Sequence, residues 1–171
     1  MSLILNSENI YKLCTTRSLV ISRKPQKIKG NYNFSISPLL CLRIYNVKVL
    51  ISDTKYIVLE FDKIENGSLF MLLLKIDKHI TEYLKNIFNF PDNITFHSIY
   101  SDVDTKFTLR CYLPQTNNKY NIKYYVDNQE ETFQCLHKNS VLKEVIIDVK
   151  NIWQNKDRVG YNLELKKVYL E

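Results

Sequence analysis

The chain has 171 residues, a formal net charge of +6 and 45% hydrophobic residues, which is enough for one domain with its own core. Its low content of 3 Gly and 4 Pro excludes collagen-like and low-complexity classes. The longest apolar run, Leu69–Leu74, is far shorter than the ~20 residues of a membrane span, and the N-terminus lacks a signal-peptide pattern. We therefore expect one cytoplasmic domain over residues 1–171.

Alternating apolar and polar residues predict strands through the first part of the chain. The predicted strands are 17–23, 31–37, 42–51 and 55–62. The basic segment RKPQKIKG lies between the first two. The last two form a hairpin that turns near Ser52 and Asp53.

One helix is predicted in the middle of the chain. Asn66-Gly67 is a turn signal, and Ser68–Ile76 is compatible with a buried strand or with the approach to a helix. Asp77 is a suitable helix cap, and apolar residues recur at helical spacing from there to about Phe88, before Pro91.

Strand patterns resume after the helix and continue to the C-terminus. The predicted strands are 95–100, 105–113, 119–126, 141–153 and 159–170. Seven or more strands with short turns predict a mainly β fold, an OB-like Greek-key barrel with long strands and one helix in the middle. A β-sandwich is the alternative.

The charge is unevenly distributed. The chain has no Ala and is rich in Lys, Asn, Ile and Tyr, which have A/T-rich codons, so abundant Lys alone is not evidence of binding. However, residues 1–50 hold eight basic side chains and one acid, whereas residues 51–171 hold 16 basic and 17 acidic side chains. The position of the excess charge therefore carries more information than its size.

The basic segment and the strand after it predict a nucleic-acid interface. Cations follow phosphates, and aromatic rings stack on unpaired bases. Tyr32 and Phe34 share one face of their strand and are candidates for stacking. The alternative is a solvated loop with both rings in the core. The candidate phosphate contacts are Arg23, Lys24, Lys27, Lys29, Arg43 and Arg110.

Two later strands repeat this combination of cations and rings on one face. In TKFTLRCYL, Arg110 and Tyr112 lie opposite an apolar face, and Tyr112 is a further candidate for stacking. In KYNIKYYVD, Lys119, Lys123 and Tyr125 share the more polar face. Each could also be an ordinary solvated face.

Catalytic and metal-binding patterns are weak. The chain has no P-loop, GxGxxG, HExxH or GxSxG motif. Cys135 and His137 form the one close Cys/His pair, and Asp102 and Asp104 are more simply a turn than a cation site. We therefore expect no enzymatic activity, no cofactor and no metal.

The C-terminal hairpin is the most distinctive segment. Its single Trp, Trp153, precedes a polar turn and a final strand with the spacing G-x-x-L-x-L-x-x-V, formed by Gly160, Leu163, Leu165 and Val168. In this hairpin the chain resembles single-stranded DNA-binding proteins of phages, large DNA viruses and virus-like linear plasmids. The composition is also similar to that of genes on the cytoplasmic linear killer plasmids of yeasts.

The resemblance implies a protein that coats single-stranded DNA during replication of a viral or plasmid genome. It also implies that replication proteins such as a DNA polymerase are partners. Trp153 would then stack on bases; alternatively, Trp153 and Tyr161 form a cross-strand aromatic pair that staples the hairpin. Two other functions stay open: a structural or assembly protein of sandwich type, and an accessory subunit of a transcription or capping complex.

Overall fold

The computed structural model describes residues 2–5, 20–21, 26–28, 31–37, 39–88, 95–96, 100–156 and 158–170. In chain order the elements are β1 Ser2–Leu5, β2 Val20–Ile21, β3 Gln26–Ile28, β4 Asn31–Phe34, β5 Ile36–Ser37, β6 Leu39–Ser52, β7 Tyr56–Asp62, α1 Gly67–Phe88, β8 Thr95–Phe96, β9 Tyr100–Val103, β10 Lys106–Tyr112, β11 Gln115–Thr116, β12 Lys119–Tyr120, β13 Lys123–Val126, β14 Gln129–Thr132, β15 Val141–Asn155 and β16 Arg158–Tyr169.

Five strands close into a barrel. Around the ring the order is β6, β7, β10, β16 and β15, and β15 pairs with β6 to complete it. All these pairs are antiparallel except β10 with β16, which is parallel and places Tyr112 opposite Glu164. The fold is a mainly β, five-stranded barrel of the OB type, with one helix among the described residues, as the sequence predicted. The alternative β-sandwich is wrong.

Alternation along the strands explains the core. In β7 and β10 every second residue is buried, so one face fills the barrel and the other faces outward. Phe61 and Phe107 stack inside with ring centres 5.0 Å apart. The long strands β6 and β15 shift register between Val49 and Ile51 and between Val149 and Ile152, and such bulges bend a strand enough to close a barrel.

The helix begins ten residues before the predicted cap. The segment Ser68–Ile76, for which a strand was one alternative, is helical. Met71 and Leu74 are exposed in the middle of this apolar run, so the helical spacing of the buried residues is hidden in the sequence. The buried residues of α1 are Leu69, Leu72, Leu73, Ile76, Ile80 and Leu84.

The helix packs against side chains that point into the barrel. The ring of Phe70 lies 5.3 Å from that of Phe107, and the Tyr161 hydroxyl donates to Asp77 Oδ1 at 2.9 Å. Asp77 is therefore a contact to the barrel instead of a helix cap. No helix within the described ranges is both long and apolar enough to span a membrane.

Most strand predictions are confirmed within one to three residues. The hairpin of β6 and β7 turns at Asp53–Lys55, and β15 and β16 are the predicted C-terminal hairpin. Two predicted strands divide: 31–37 into β4 and β5, which pair with different strands, and 119–126 into β12 and β13. Within the predicted strands 17–23 and 95–100, residues 17–19, 22–23 and 97–99 lie outside the described part.

A buried polar cluster lies on the outward side of β6, β15 and β16. The Asp148 side chain is only 5% exposed, accepts a hydrogen bond from Cys41 Sγ at 2.8 Å and lies 3.3 Å from Lys166 Nζ. Burial by itself would lower the pKa of Lys166, but Asp148 and Cys41 together raise it above its ordinary value. Lys150 bridges Asp148 and Glu164 at 3.6 and 3.4 Å.

Candidate nucleic-acid interface

The outward face of β7 and β10 brings a cation beside two aromatic rings. Tyr112 pairs with Tyr56 across the two strands, and Arg110 pairs with Val58. Their buried neighbours point into the barrel, so these side chains point outward. The sequence predicted Arg110 and Tyr112 as site residues but missed Tyr56, whose position depends on the register of the two strands.

The three side chains are close enough to interact. The Arg110 guanidinium carbon lies 4.0 Å from the centre of the Tyr56 ring and 5.8 Å from that of Tyr112. Both distances are within the range of cation–π attraction. Arg110 is exposed and Tyr112 is 43% exposed, so the guanidinium and the ring face solvent. We call Arg110, Tyr56 and Tyr112 the Arg110 cluster.

The loop after β6 borders the Arg110 cluster. The Thr54 side-chain and backbone hydrogen bonds lower the pKa of Asp53 in this loop. The hairpin of β11 and β12 is held against this loop, because Gln115 Nε2 and the Tyr120 hydroxyl both donate to the Thr54 carbonyl, at 2.6 and 3.2 Å. One end of the outward face is therefore fixed in place.

At the other end of the same face, two carboxylates accompany the cation Lys106. Lys106 Nζ lies 3.1 Å from Glu60 Oε1, and Lys106 also pairs in register with Asp62. Phosphates would meet two carboxylates there. The part of the face that suits an anionic strand is therefore the half with Arg110.

A second group of predicted residues lies on the hairpin of β3 and β4. Lys27 Nζ is 5.8 Å from the centre of the Tyr32 ring, and both side chains are exposed. Arg23, Lys24 and Lys29 lie outside the described residues.

Phe34 corrects one prediction. The sequence placed it with Tyr32 as a stacking residue, but its side chain is 1% exposed and belongs to the core. Tyr32 is 39% exposed, although the two residues share a face of the same strand. Phe34 pairs with the core residue Ile152, whereas Tyr32 pairs with Gln154 near the end of β15, where the barrel core ends.

Arg43 lies on the outward side of β6, next to β15. Its Nε lies 3.1 Å from Glu144 Oε1, an ion pair without the angle of a hydrogen bond. A phosphate at this position would compete with the carboxylate of Glu144.

Tyr125 and Lys123 also interact with side chains of neighbouring strands. The Tyr125 ring stacks on Tyr169 with centres 4.7 Å apart, and its hydroxyl donates to Glu130 Oε2 at 3.2 Å. Burial and the Glu130 carboxylate raise the pKa of Tyr125. Lys123 Nζ lies 4.0 Å from the same carboxylate.

Trp153 lies half-buried on the outward face of β15, opposite Gly160 and Asn33. The alternative pairing with Tyr161 is wrong, because Tyr161 lies opposite Ile152 and is buried on the inward side. The turn beyond Trp153 adds two exposed cations, Lys156 and Arg158, that no sequence pattern indicated as site residues.

The strand registers relate Trp153 to the Arg110 cluster. Trp153 pairs with Gly160 on β16, and Glu164 further along β16 pairs with Tyr112. With strands ~4.8 Å apart and a rise of ~3.3 Å per residue, Trp153 and Tyr112 are about 16 Å apart along the sheet. The ligand-binding face of OB folds lies on the second and third strands and extends to the loops between strands one and two and between four and five. Here these are β7, β10, Asp53–Lys55 and the turn after β15.

No protein-family model and no curated protein sequence is detectably similar to the chain. Among solved structures, the single-stranded DNA-binding protein from bacteriophage Enc34 in complex with ssDNA is 14% identical, with 91% of this chain and 96% of that chain covered and a TM-score of 0.46. The same phage protein without DNA is 15% identical, with 88% of each chain covered and a TM-score of 0.47. At this level of similarity, function has to be inferred from the residues of this chain.

Proposed function

We propose that the protein binds single-stranded DNA without strong sequence preference and coats it. The observation that carries this proposal is the Arg110 cluster, an exposed guanidinium beside two tyrosine rings on the face that OB folds use for ligands. Rings stack on any unpaired base, and a cation beside them attracts the phosphates. The binding is therefore expected to tolerate any sequence.

The proposed path of the strand crosses the barrel from the Arg110 cluster towards Trp153. Lys156 and Arg158 lie at the turn beyond Trp153 and are exposed. The basic segment of the first third, with Lys27 and Tyr32, extends the same chemistry to the hairpin of β3 and β4. In this proposal Arg23, Lys24 and Lys29 contribute phosphate contacts as well.

The biological setting proposed is replication of a viral or plasmid genome, with replication proteins such as a DNA polymerase as partners. The support for this setting is the resemblance of the C-terminal hairpin and the composition. The proposed role is non-catalytic.

A titration with fluorescent dT and duplex oligonucleotides at two salt concentrations tests the proposal. We expect preferential binding to the single strand, because stacking needs unpaired bases. If about five cations engage phosphates, the slope of log affinity against log salt is about −3.5. Equal affinity for duplex and single strand would argue decisively against the proposal.

A further inference from the structure

The two ends of the main sheet carry opposite charge. Along its path β14 is at one end and β3 at the other, and neither pairs with a second strand within the described ranges. The sequence of β14 is Gln-Glu-Glu-Thr, and all four residues are exposed. The sequence of β3 is Gln-Lys-Ile, with Gln26 and Lys27 exposed.

An exposed edge strand can accept another strand, and its charges decide which one. Edge strands present unpaired backbone N–H and C=O groups, and charged side chains discourage unwanted pairing. Two copies of β14 repel one another, and so do two copies of β3. Opposite charges favour β14 against β3, so the charge pattern selects one contact out of three.

We propose that β14 of one copy pairs with β3 of the next copy when the protein coats single-stranded DNA. The proposal rests on the function proposed above. A contact between two different surfaces of the same chain does not close on itself unless the rotation between copies forms a ring, and it otherwise builds an open array. An open array suits a protein that covers a long strand.

The contact is small, and this decides when it forms. β14 has four residues and β3 has three, so the pair makes only a few backbone hydrogen bonds. Neighbours on one DNA strand face each other at a millimolar effective concentration, far above that of the free protein. The contact therefore forms on DNA and makes binding cooperative, while the free protein has no stable oligomer through it.

The turn before β14 identifies which of its backbone groups are open. Asp127 and Asn128 have φ angles of 50° and 65°, as in a two-residue type I′ turn, and they connect the paired residues Val126 and Gln129. The Gln129 N–H therefore bonds to Val126, and by alternation the N–H of Thr132 faces the open edge. Proline at position 132 removes an open-edge donor and leaves the ladder to β13 intact.

The test compares affinity for dT of about 60 nucleotides with affinity for dT of about 10 nucleotides, which holds roughly one protein. We expect wild type and the matched control Thr132→Ala to bind the long strand cooperatively. Thr132→Pro should lower the ratio of long-strand to short-strand affinity about tenfold or more, with unchanged affinity for the short strand. Glu131→Lys, which leaves the backbone unchanged, should also lower the ratio and decides the outcome if Thr132→Pro does not fold.

The possible failures are distinguishable. If folded Thr132→Pro or Glu131→Lys keeps the wild-type ratio of long-strand to short-strand affinity, the pairing of β14 with β3 is overturned. Binding to the short strand would in that case still support the proposed function. Non-cooperative binding by wild type would overturn it equally. If wild type binds neither the long nor the short strand, the proposed function itself is overturned.

Discussion

Arg110 links the two rings of the proposed interface. Its guanidinium lies over Tyr56 at 4.0 Å, which orients its planar donors while leaving the exposed Tyr112 ring beside it. A base that stacks on Tyr112 would place its phosphate near this cation. The arrangement thus supplies a stacking surface and a phosphate contact from neighbouring outward positions of β10.

Truncation of the Tyr112 ring tests this at the residue scale. Tyr112→Ala should weaken binding to oligo-dT by about 1–3 kcal/mol, because one stacked base loses its partner. Tyr45→Ala is the matched control: Tyr45 is 42% exposed, but the registers place it roughly 20 Å or more from Tyr112 along the sheet. Equal losses in the two variants, measured by fluorescence anisotropy, would remove Tyr112 from the interface.

The pair of Asp148 and Lys166 makes a prediction about pH. Lys166→Met should lower the free energy of unfolding by about 1 kcal/mol at pH 7. The loss is less than for a fully buried pair because solvent screens the Lys166 side chain, which is 38% exposed, and because Lys150 also faces Asp148. The folded-state pKa of Lys166 is raised, so its contribution is fully present below the unfolded-state pKa and is lost as pH rises through the folded-state pKa. The difference between variant and wild type in urea melts should therefore shrink above about pH 10.5. A constant difference from pH 7 to pH 11 would contradict this.

At the scale of the element, β4 separates two rings that the sequence treats alike. Phe34 packs in the core next to Ile152, whereas Tyr32 is exposed beside Lys27. Phe34→Ala should lower the free energy of unfolding by roughly 3–5 kcal/mol, as core Phe truncations do, and leave the affinity of the folded protein for dT unchanged. Tyr32→Ala should leave stability nearly unchanged and weaken binding. Thermal melts and dT titrations of both variants check this, and a stable Phe34→Ala variant with reduced affinity would reverse the assignment.

The elements show what periodicity can predict. Period-2 alternation is set by the pleat of each strand, so β6, β7, β10, β15 and β16 are visible in the sequence. The start of α1 is not, because exposed Met71 and Leu74 fill the polar positions of its first turns. Because alternation is a property of a single strand, it could indicate Arg110 and Tyr112, which share β10. Tyr56 could be found only from the pairing of β7 with β10.

At the scale of the whole molecule, the barrel decides which residues meet. The parallel contact of β10 with β16 joins segments about fifty residues apart in the chain through Tyr112 and Glu164. No local pattern indicates such a contact, because it depends on the closure of the ring. The sequence therefore predicted an OB-like barrel but could not show whether its basic and aromatic faces share a surface.

The barrel also determines which cations have a carboxylate on the adjacent strand. Arg110 is exposed on the face of β7 and β10, whereas Arg43 and Lys123 each face a carboxylate on an adjacent strand. Cross-strand ion pairs of this kind are set by register, so the sequence could not distinguish Arg43 and Lys123, which they neutralise, from Arg110, which is exposed beside two rings.

One comparison of two neutralising substitutions tests the central claim that the face of β7 and β10 binds the strand. Arg110→Gln and Lys78→Gln remove the same charge, but Lys78 is exposed on α1, where it pairs with Glu82 at 3.8 Å. We predict that Arg110→Gln weakens binding to oligo-dT about tenfold, equivalent to about 1.4 kcal/mol, while Lys78→Gln binds like wild type. Wild-type affinity in a folded Arg110→Gln variant, or an equal loss in both, would contradict the account.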